Sequence, residues 1–421
     1  MTEFRKELPI SIKYRNNECK KKDNLIEWVY RMTVKIKVEN LTKIFGRNPK
    51  AVLKKLKSGE SKEKIFRETG NTVGVNNVSF EVSEGEFFVI MGLSGSGKST
   101  LIRCLNLLNI PSAGQIYVDG ANIVQYNKKA LGEFRQKKVA MVFQHFGLFT
   151  HRTIIGNVEY GPEIRGIPKE ERREIAKKNL AAVGLEGWED KYPNELSGGM
   201  RQRVGLARAF ANDPDILLMD EPFSALDPLI RRDMQLEMLD IHAKLGKTIV
   251  FITHDVNEAF KLGDRVAVMK DGAIEQIGTP EEILTNPANE YIANFVQDVD
   301  KTKVLHAGNI MIKPGALISL KDGPKVAIKE MRNNGISSVF VVDNARKLQG
   351  IVTIDDAVKA LKEQQKLQDI LIKDYHTTTP DTYVQDLIQV ASTTKYPIAV
   401  VDEQDKLLGI IVRVSVLSAL T

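Results

Sequence analysis

Lys98 and Ser99 close a glycine-rich run, Gly92-Leu93-Ser94-Gly95-Ser96-Gly97-Lys98-Ser99, with Thr100 next in line. Glycines at this density let the backbone curl so that successive N–H groups converge, and a helix starting there adds its dipole. Such a cradle suits phosphate oxygens, held by Gly92, Ser94, Gly95, Gly97 and Thr100. Lys98 then neutralises the β- and γ-phosphates and Ser99 ligates Mg2+. Further along, Met219-Asp220-Glu221-Pro222 follows the apolar run 216–219. Asp220 is suited to the magnesium shell, while Glu221, one residue on, faces the γ-phosphate and polarises the attacking water as general base. A helix cap competes for either carboxylate alone, but scarcely for the pair behind four apolar residues. Gln144 ends the apolar run 139–143 and can reach both the metal and the water. His254, just past the run 248–252, can contact the γ-phosphate, although a lone histidine is usually structural.

These groups need strands and helices to position them. Residues 34–38 alternate cleanly, residues 78–82 and 87–91 read as strands, and a helix is expected from about Thr100. From 101 to 300, helical patterns alternate with apolar strands at 139–143, 216–219, 248–252 and 266–270, the pattern of a mainly parallel α/β sheet. The length of 421 residues predicts two or three domains, and 43% hydrophobic with 27% charged residues fits globular ones. No apolar run reaches the ~18–20 residues that span a bilayer, and residues 1–10 lack a signal-peptide core. Cys19 and Cys104 are too few for a disulfide framework, which fits a reducing compartment. The net charge of +6 is mild, and no nucleic-acid partner is expected. Residues 1–32 are a charged extension. Met32 is either the true start, with 1–31 upstream of it, or the end of a short docking segment.

Together these residues resemble the ATP-binding subunits of ABC transporters over about residues 33–300, with a basic helical insertion at 49–70. The resemblance includes a helical subdomain and the signature Leu196-Ser197-Gly198-Gly199-Met200, whose usual last residue is Gln. It implies that Ser197, Gly198, Gly199 and Met200 grip the γ-phosphate of an opposite subunit, so that two ATP molecules are sandwiched in a homodimer. Asp227, in Ser224-Ala225-Leu226-Asp227, then couples the two sites, and Phe45 stacks on adenine, a core role being its alternative. Gln144-His145-Phe146-Gly147-Leu148-Phe149-Thr150-His151 reads as an aromatic surface that receives a helix of a membrane permease, or as a loop packed on its own domain.

Residues 301–421 contain an internal repeat. Residues 339–351 recur 59 positions later with seven of thirteen identical, each copy running strand, Asp-headed turn, strand, helix. Two half-domains burying their faces against each other are expected. The unit resembles a tandem CBS module of α+β type. Gly350, Thr353 and Asp356 resemble that family's nucleotide contacts, implying AMP, ATP or cyclic di-AMP as regulator; a purely structural pairing is the alternative. The second copy has Val412 and Ser415 at the positions of Thr353 and Asp356, losing both side chains.

Such a combination most resembles the energising subunits of glycine betaine and proline-type osmolyte importers: bacterial, peripheral on the cytoplasmic face, partnered by a permease and a solute-binding protein or domain, and regulated by osmotic or ionic strength. An importer of another small polar solute, such as an amino acid or polyamine, and a soluble nucleotide-sensing ATPase are the alternatives. Residues 50–68 carry seven basic and three acidic side chains. Lys50, Lys54, Lys55, Lys57, Lys62 and Lys64 form either a patch held on anionic lipid or the solvated face of a helical hairpin.

Overall fold

A computed structural model describes residues 34–144, 147–224 and 226–420. The expected extension 1–32, Cys19, the loop residues His145 and Phe146, and Ala225 beside Asp227 lie outside the described residues. The chain divides into two compact units, one running through His254 and including Met269–Ile274, the other Asp255–Val268 with Glu275–Thr421.

The first unit holds β1 (Val34–Phe45), β2 (Thr72–Ser83), β3 (Phe87–Met91), β4 (Ala113–Val118), β5 (Ala121–Asn122), β6 (Val139–Val142), β7 (Ile216–Asp220) and β8 (Thr248–Thr253). Two kinds of sheet follow from two hydrophobic patterns. β2 alternates buried and exposed residues and joins an antiparallel sheet ordered β2-β1-β4-β5, in which Phe45 of β1 lies opposite Thr72 of β2. By contrast, β3, β7 and β8 are buried at every position, as strands covered on both faces must be. They pair in parallel in the order β3-β8-β7-β6, with Met91 beside Thr253 and Asp220 beside Ile252. The carboxyl ends of β3, β7 and β8 therefore meet at one edge, where ligands of parallel sheets collect.

A charge cluster straps the two sheets together. Lys35 of β1 is buried, with its Nζ 2.8 Å from Asp119 Oδ1 and 3.4 Å from Asp215 Oδ2. Lys138 Nζ reaches the same pair at 3.1 and 2.7 Å. Helices fill the interval to the signature, among them Ile154–Val158, Tyr160–Ile164, Lys169–Ala182 and Gly198–Phe210, as the expected helical subdomain requires. None of the described helices is long and apolar enough to cross a membrane.

The insertion between β1 and β2 is a helical hairpin of α1 (Pro49–Lys57) and α2 (Lys62–Thr69). Asn48 caps the first helix and Ser61 the second, and Gly70 ends it in the left-handed region at φ 68°. Val52 and Ile65 are buried together with Ile44 of β1 and Val73 of β2, while Leu53 and Leu56 pack around them.

After β9 (Arg265–Lys270) and β10 (Ala273–Gly278), the second unit repeats one design twice. β11 (Leu317–Ser319), β12 (Ser338–Val342) and β13 (Leu348–Thr353) form one three-stranded sheet; β14 (Thr377–Thr378), β15 (Ile398–Val401) and β16 (Leu407–Ile411) form the other. In each, the first pair is parallel and the second antiparallel. The copies do bury faces against each other: Phe340, Val342 and Ile351 share a core with Ala399, Val401 and Leu407.

Candidate functional site

The phosphate loop connects β3 to the helix α3 (Lys98–Leu105), as strand–loop–helix chemistry demands. Its tightest point is Gly97, with φ 101°: a Cβ there would lie 2.2 Å from the Gly74 carbonyl oxygen, so no other residue fits. Lys98 Nζ folds back to donate to the carbonyls of Gly92 at 2.7 Å and Leu93 at 3.0 Å. Burial pushes its ammonium below the ordinary range, against the pull of Glu221 and Asp220. A buried ammonium held over a loop of backbone N–H groups is an electrostatic socket for a polyanion.

Asp220 is fully buried at the end of β7. Ser99 Oγ donates to its Oδ1 at 2.8 Å, placing hydroxyl and carboxylate together as a divalent ion would need. Asp220 Oδ2 accepts from Arg103 Nη2 at 3.0 Å, a partner that motif reading missed. The signal was present: Ser99 and Arg103 are four apart and share one helix face.

Glu221 follows at φ 47°, a left-handed conformation rare for its type and typical of residues held in place by function. Three expected partners gather around its carboxylate. His254 Nδ1 lies 3.2 Å and Gln144 Nε2 3.4 Å from Oε2, while Lys98 Nζ is 4.0 Å from Oε1. Ser224, absent from the sequence reading as a chemical group, ties this cluster down: its Oγ accepts from Gln144 Nε2 at 3.3 Å and donates to the Glu221 carbonyl at 3.0 Å. A turn three residues after Glu221 was the available clue.

Phe45 is 39% exposed rather than part of the core, and its ring lies against Gly74 beside Thr100. The Lys43 ammonium lies 4.9 Å from the centre of the same ring. Ser94 and Gly95 lie exposed on the loop, Gly95 at φ 82°. Ser96 Oγ is buried without a partner.

The signature residues open the helix Gly198–Phe210. Ser197 caps it, accepting from Met200 N at 3.3 Å. A Cβ on Gly199 would meet Ile230 at 2.6 Å, so the glycine admits the neighbouring helix Pro228–Leu245. Asp227 caps that neighbour through Ile230 N at 3.1 Å, which gives it a structural duty besides any coupling role. Met200 leaves the helix-start donors unchanged.

Of the aromatic loop, Phe149 is half-buried and packs on Tyr160 with ring centroids 4.6 Å apart. Beside it opens an apolar cavity of about 400 Å³ lined by Met141, Phe143, Phe149, Tyr160 and Ile164. The loop therefore packs on its own domain, as one of the two sequence alternatives expected, and leaves a groove beside it.

The six insertion lysines do not share one free face. Lys55 pairs with Glu68 and Glu60, and Lys64 with Glu60 at 3.4 Å. Lys62 is half-buried on the inner side of the hairpin. Lys50, Lys54 and Lys57 stay exposed, with no acidic partner among the described residues, and form a stripe along α1. In the second unit, Thr353 Oγ1 donates to Asp356 Oδ2 at 2.5 Å and caps the helix Ile354–Lys362, while Gly350 lies tight against Ile372 O.

Comparison with known proteins agrees with this geometry. The model of the ABC transporter family matches residues 75–224, and that of the CBS domain matches 307–363 and 367–421. The chain is 56% identical over 387 residues to a glycine betaine transport ATP-binding protein of Bacillus subtilis, covering 92% of each. It is 56% identical to a glycine betaine/carnitine transport ATP-binding protein of Listeria monocytogenes, covering 92% of this chain and 98% of that one. Among solved structures, a dimeric ATP-binding cassette in a post-hydrolysis state bound to ADP and Pi is 34% identical, with a TM-score of 0.50, covering 58% of this chain and 98% of that one.

Proposed function

As a member of the ATP-binding subunits of ABC transporters, carrying a tandem CBS module, the chain is one for which we propose the following activity: it hydrolyses ATP to drive a permease that imports glycine betaine-type compatible solutes. The observation that carries the chemistry is the convergence of Gln144, His254 and Lys98 on Glu221, one residue from the Ser99–Asp220 pair. The cargo follows from the 56% identity to two betaine subunits over 92% of the chain.

Phosphate oxygens take the place of the loop carbonyls now held by Lys98, whose buried ammonium exchanges those partners for the polyanion. The pairing of a hydroxyl with a buried carboxylate fits Mg2+, which when bound would offset charge on the transferred phosphoryl group. Glu221 Oε2 accepts a proton from the attacking water, oriented by Gln144, and His254 stands within reach of the same oxygen to share the developing charge. By the family resemblance, the signature at Ser197 to Met200, at the start of its helix, serves a second copy's nucleotide in a homodimer coupled through Asp227. The groove at Phe149 takes the permease helix. The ATPase domain spans 33–300 and the CBS module 301–421. Gly350, Thr353 and Asp356 are its candidate contacts for an adenine nucleotide, and Lys50, Lys54 and Lys57 carry what remains of the anionic-lipid reading.

Solute-stimulated ATP hydrolysis by the complex reconstituted with its permease and binding protein tests this, with betaine, proline and carnitine compared. Betaine should stimulate turnover several-fold. Stimulation by none of the three would overturn the cargo.

A further inference from the structure

Three glycines from separate segments meet behind the phosphate loop. A Cβ on Gly97, the residue that starts α3, would lie 2.2 Å from Gly74 O and 3.3 Å from Gly272 Cα. Gly272, in the turn between β9 and β10, donates its N–H to Ser96 O at 2.8 Å and accepts from Asn76 N at 2.8 Å. The insertion reaches this junction. A Cβ on Gly272 would be 2.5 Å from Lys62 Nζ and 2.8 Å from Gly74 O, so the lysine ammonium occupies the seam itself. Lys62 has no ion pair or hydrogen bond among the described residues, and only the charges of Asp271 and Glu63 act on it from nearby.

The hairpin is anchored to the same place from the other side. Its core residues Val52 and Ile65 pack on Ile44 and Val73, each one residue before the site residues Phe45 and Gly74. Gly74 in turn touches both the Phe45 ring and Thr100 of α3. The insertion is thus packed under the adenine-facing aromatic while its lysine sits behind the phosphate loop.

We propose that Lys62 is a positioning residue of the nucleotide site, packed into the Gly74–Gly97–Gly272 junction and adding positive charge behind the phosphate loop. This rests on the ATP-site reading above. Burial pushes the Lys62 ammonium below its ordinary range, a desolvation that a nearby polyanion would relieve. Through Lys62 the hairpin then tunes ATP affinity by a route that needs no lipid, and Lys62 leaves the set of lysines available to a membrane.

The test is lipid-free: nucleotide affinity and the KM-against-kcat split of the full-length chain with Lys62→Met, Lys62→Arg and Lys98→Ala, titrated with a fluorescent ATP analogue. Lys62→Met should raise Kd and KM roughly three- to tenfold with kcat within twofold, and more at low salt than at high. Lys62→Arg should recover most of the loss. Unchanged Kd and KM in Lys62→Met at an unchanged melting temperature would overturn the proposal. So would a defect that appears only when vesicles of anionic lipid are added, or a loss of kcat alone. If Lys98→Ala binds nucleotide normally, the ATP-site reading itself fails, whatever Lys62 does.

Discussion

Glu221 has few ways to be where it is. Its φ of 47° lies in the left-handed region, and its backbone N–H is held by Ile252 O at 3.2 Å. Glu221→Gln keeps size and hydrogen bonding but removes the proton acceptor. It should retain ATP binding while turnover falls by about 10²–10⁴-fold, read by phosphate release against nucleotide retention. Persisting hydrolysis would strip Glu221 of its role. Arg103→Ala leaves the buried Asp220 carboxylate with Ser99 alone, a loss of about 1–2 kcal/mol in denaturant melts even though the arginine is 46% exposed. The same variant should shift the Mg2+ concentration at half-maximal nucleotide binding.

At the scale of elements, the strap between the sheets and the insertion hairpin are separable. Burial alone would push the Asp119 and Asp215 carboxyls up, but hydrogen bonds from Lys35 and Lys138 outweigh it and hold both below their ordinary value of 3.8. Their contribution is therefore present above the unfolded value and lost as pH falls through the depressed folded one. Lys138, hydrogen-bonded to Asp215 and then Asp119, is raised from 10.5 to about 12, so its share persists below 10.5 and disappears as pH climbs past about 12. Lys138→Met should cost about 0.5–1 kcal/mol near neutral pH, discounted because the side chain is 47% exposed, and the difference from the native chain should shrink as pH falls below the carboxyls' ordinary 3.8. Urea melts across pH decide it. In the hairpin, Ile65→Ala empties a fully buried site and should cost about 2–4 kcal/mol, seen as faster amide exchange confined to 49–70.

For the whole molecule, the family to which the chain belongs predicts a partner copy whose signature completes each nucleotide site. Glu221→Gln with ATP should double in mass by light scattering and return to monomer with ADP; a monomer in both would end the sandwich reading. Neutralising Lys50, Lys54 and Lys57 together tests the stripe on α1: the ionic strength that activates transport should fall, and an unmoved threshold removes lipid from the account.

Much was legible because local chemistry dictates local structure. Gly97 has a conformation only glycine adopts cheaply, the apolar runs ending in Asp220 and preceding His254 admit little but buried strands, and the spaced repeat at 339 and 398 announces two packed copies. Those features depend on neighbours in sequence, so the chain alone determined a phosphate loop, a parallel sheet carrying its acids, a signature and a paired module. Tertiary structure decided what depends on neighbours in space. It brought Gln144 and His254 to Glu221 across 77 and 33 residues, joined Arg103 to Asp220, and divided six insertion lysines among acids, solvent and the seam behind Gly97. A lysine's stem reaches any of these, and charge in a sequence carries no direction; only packing of Val52 and Ile65 onto the strand that bears Phe45 turns Lys62 inward.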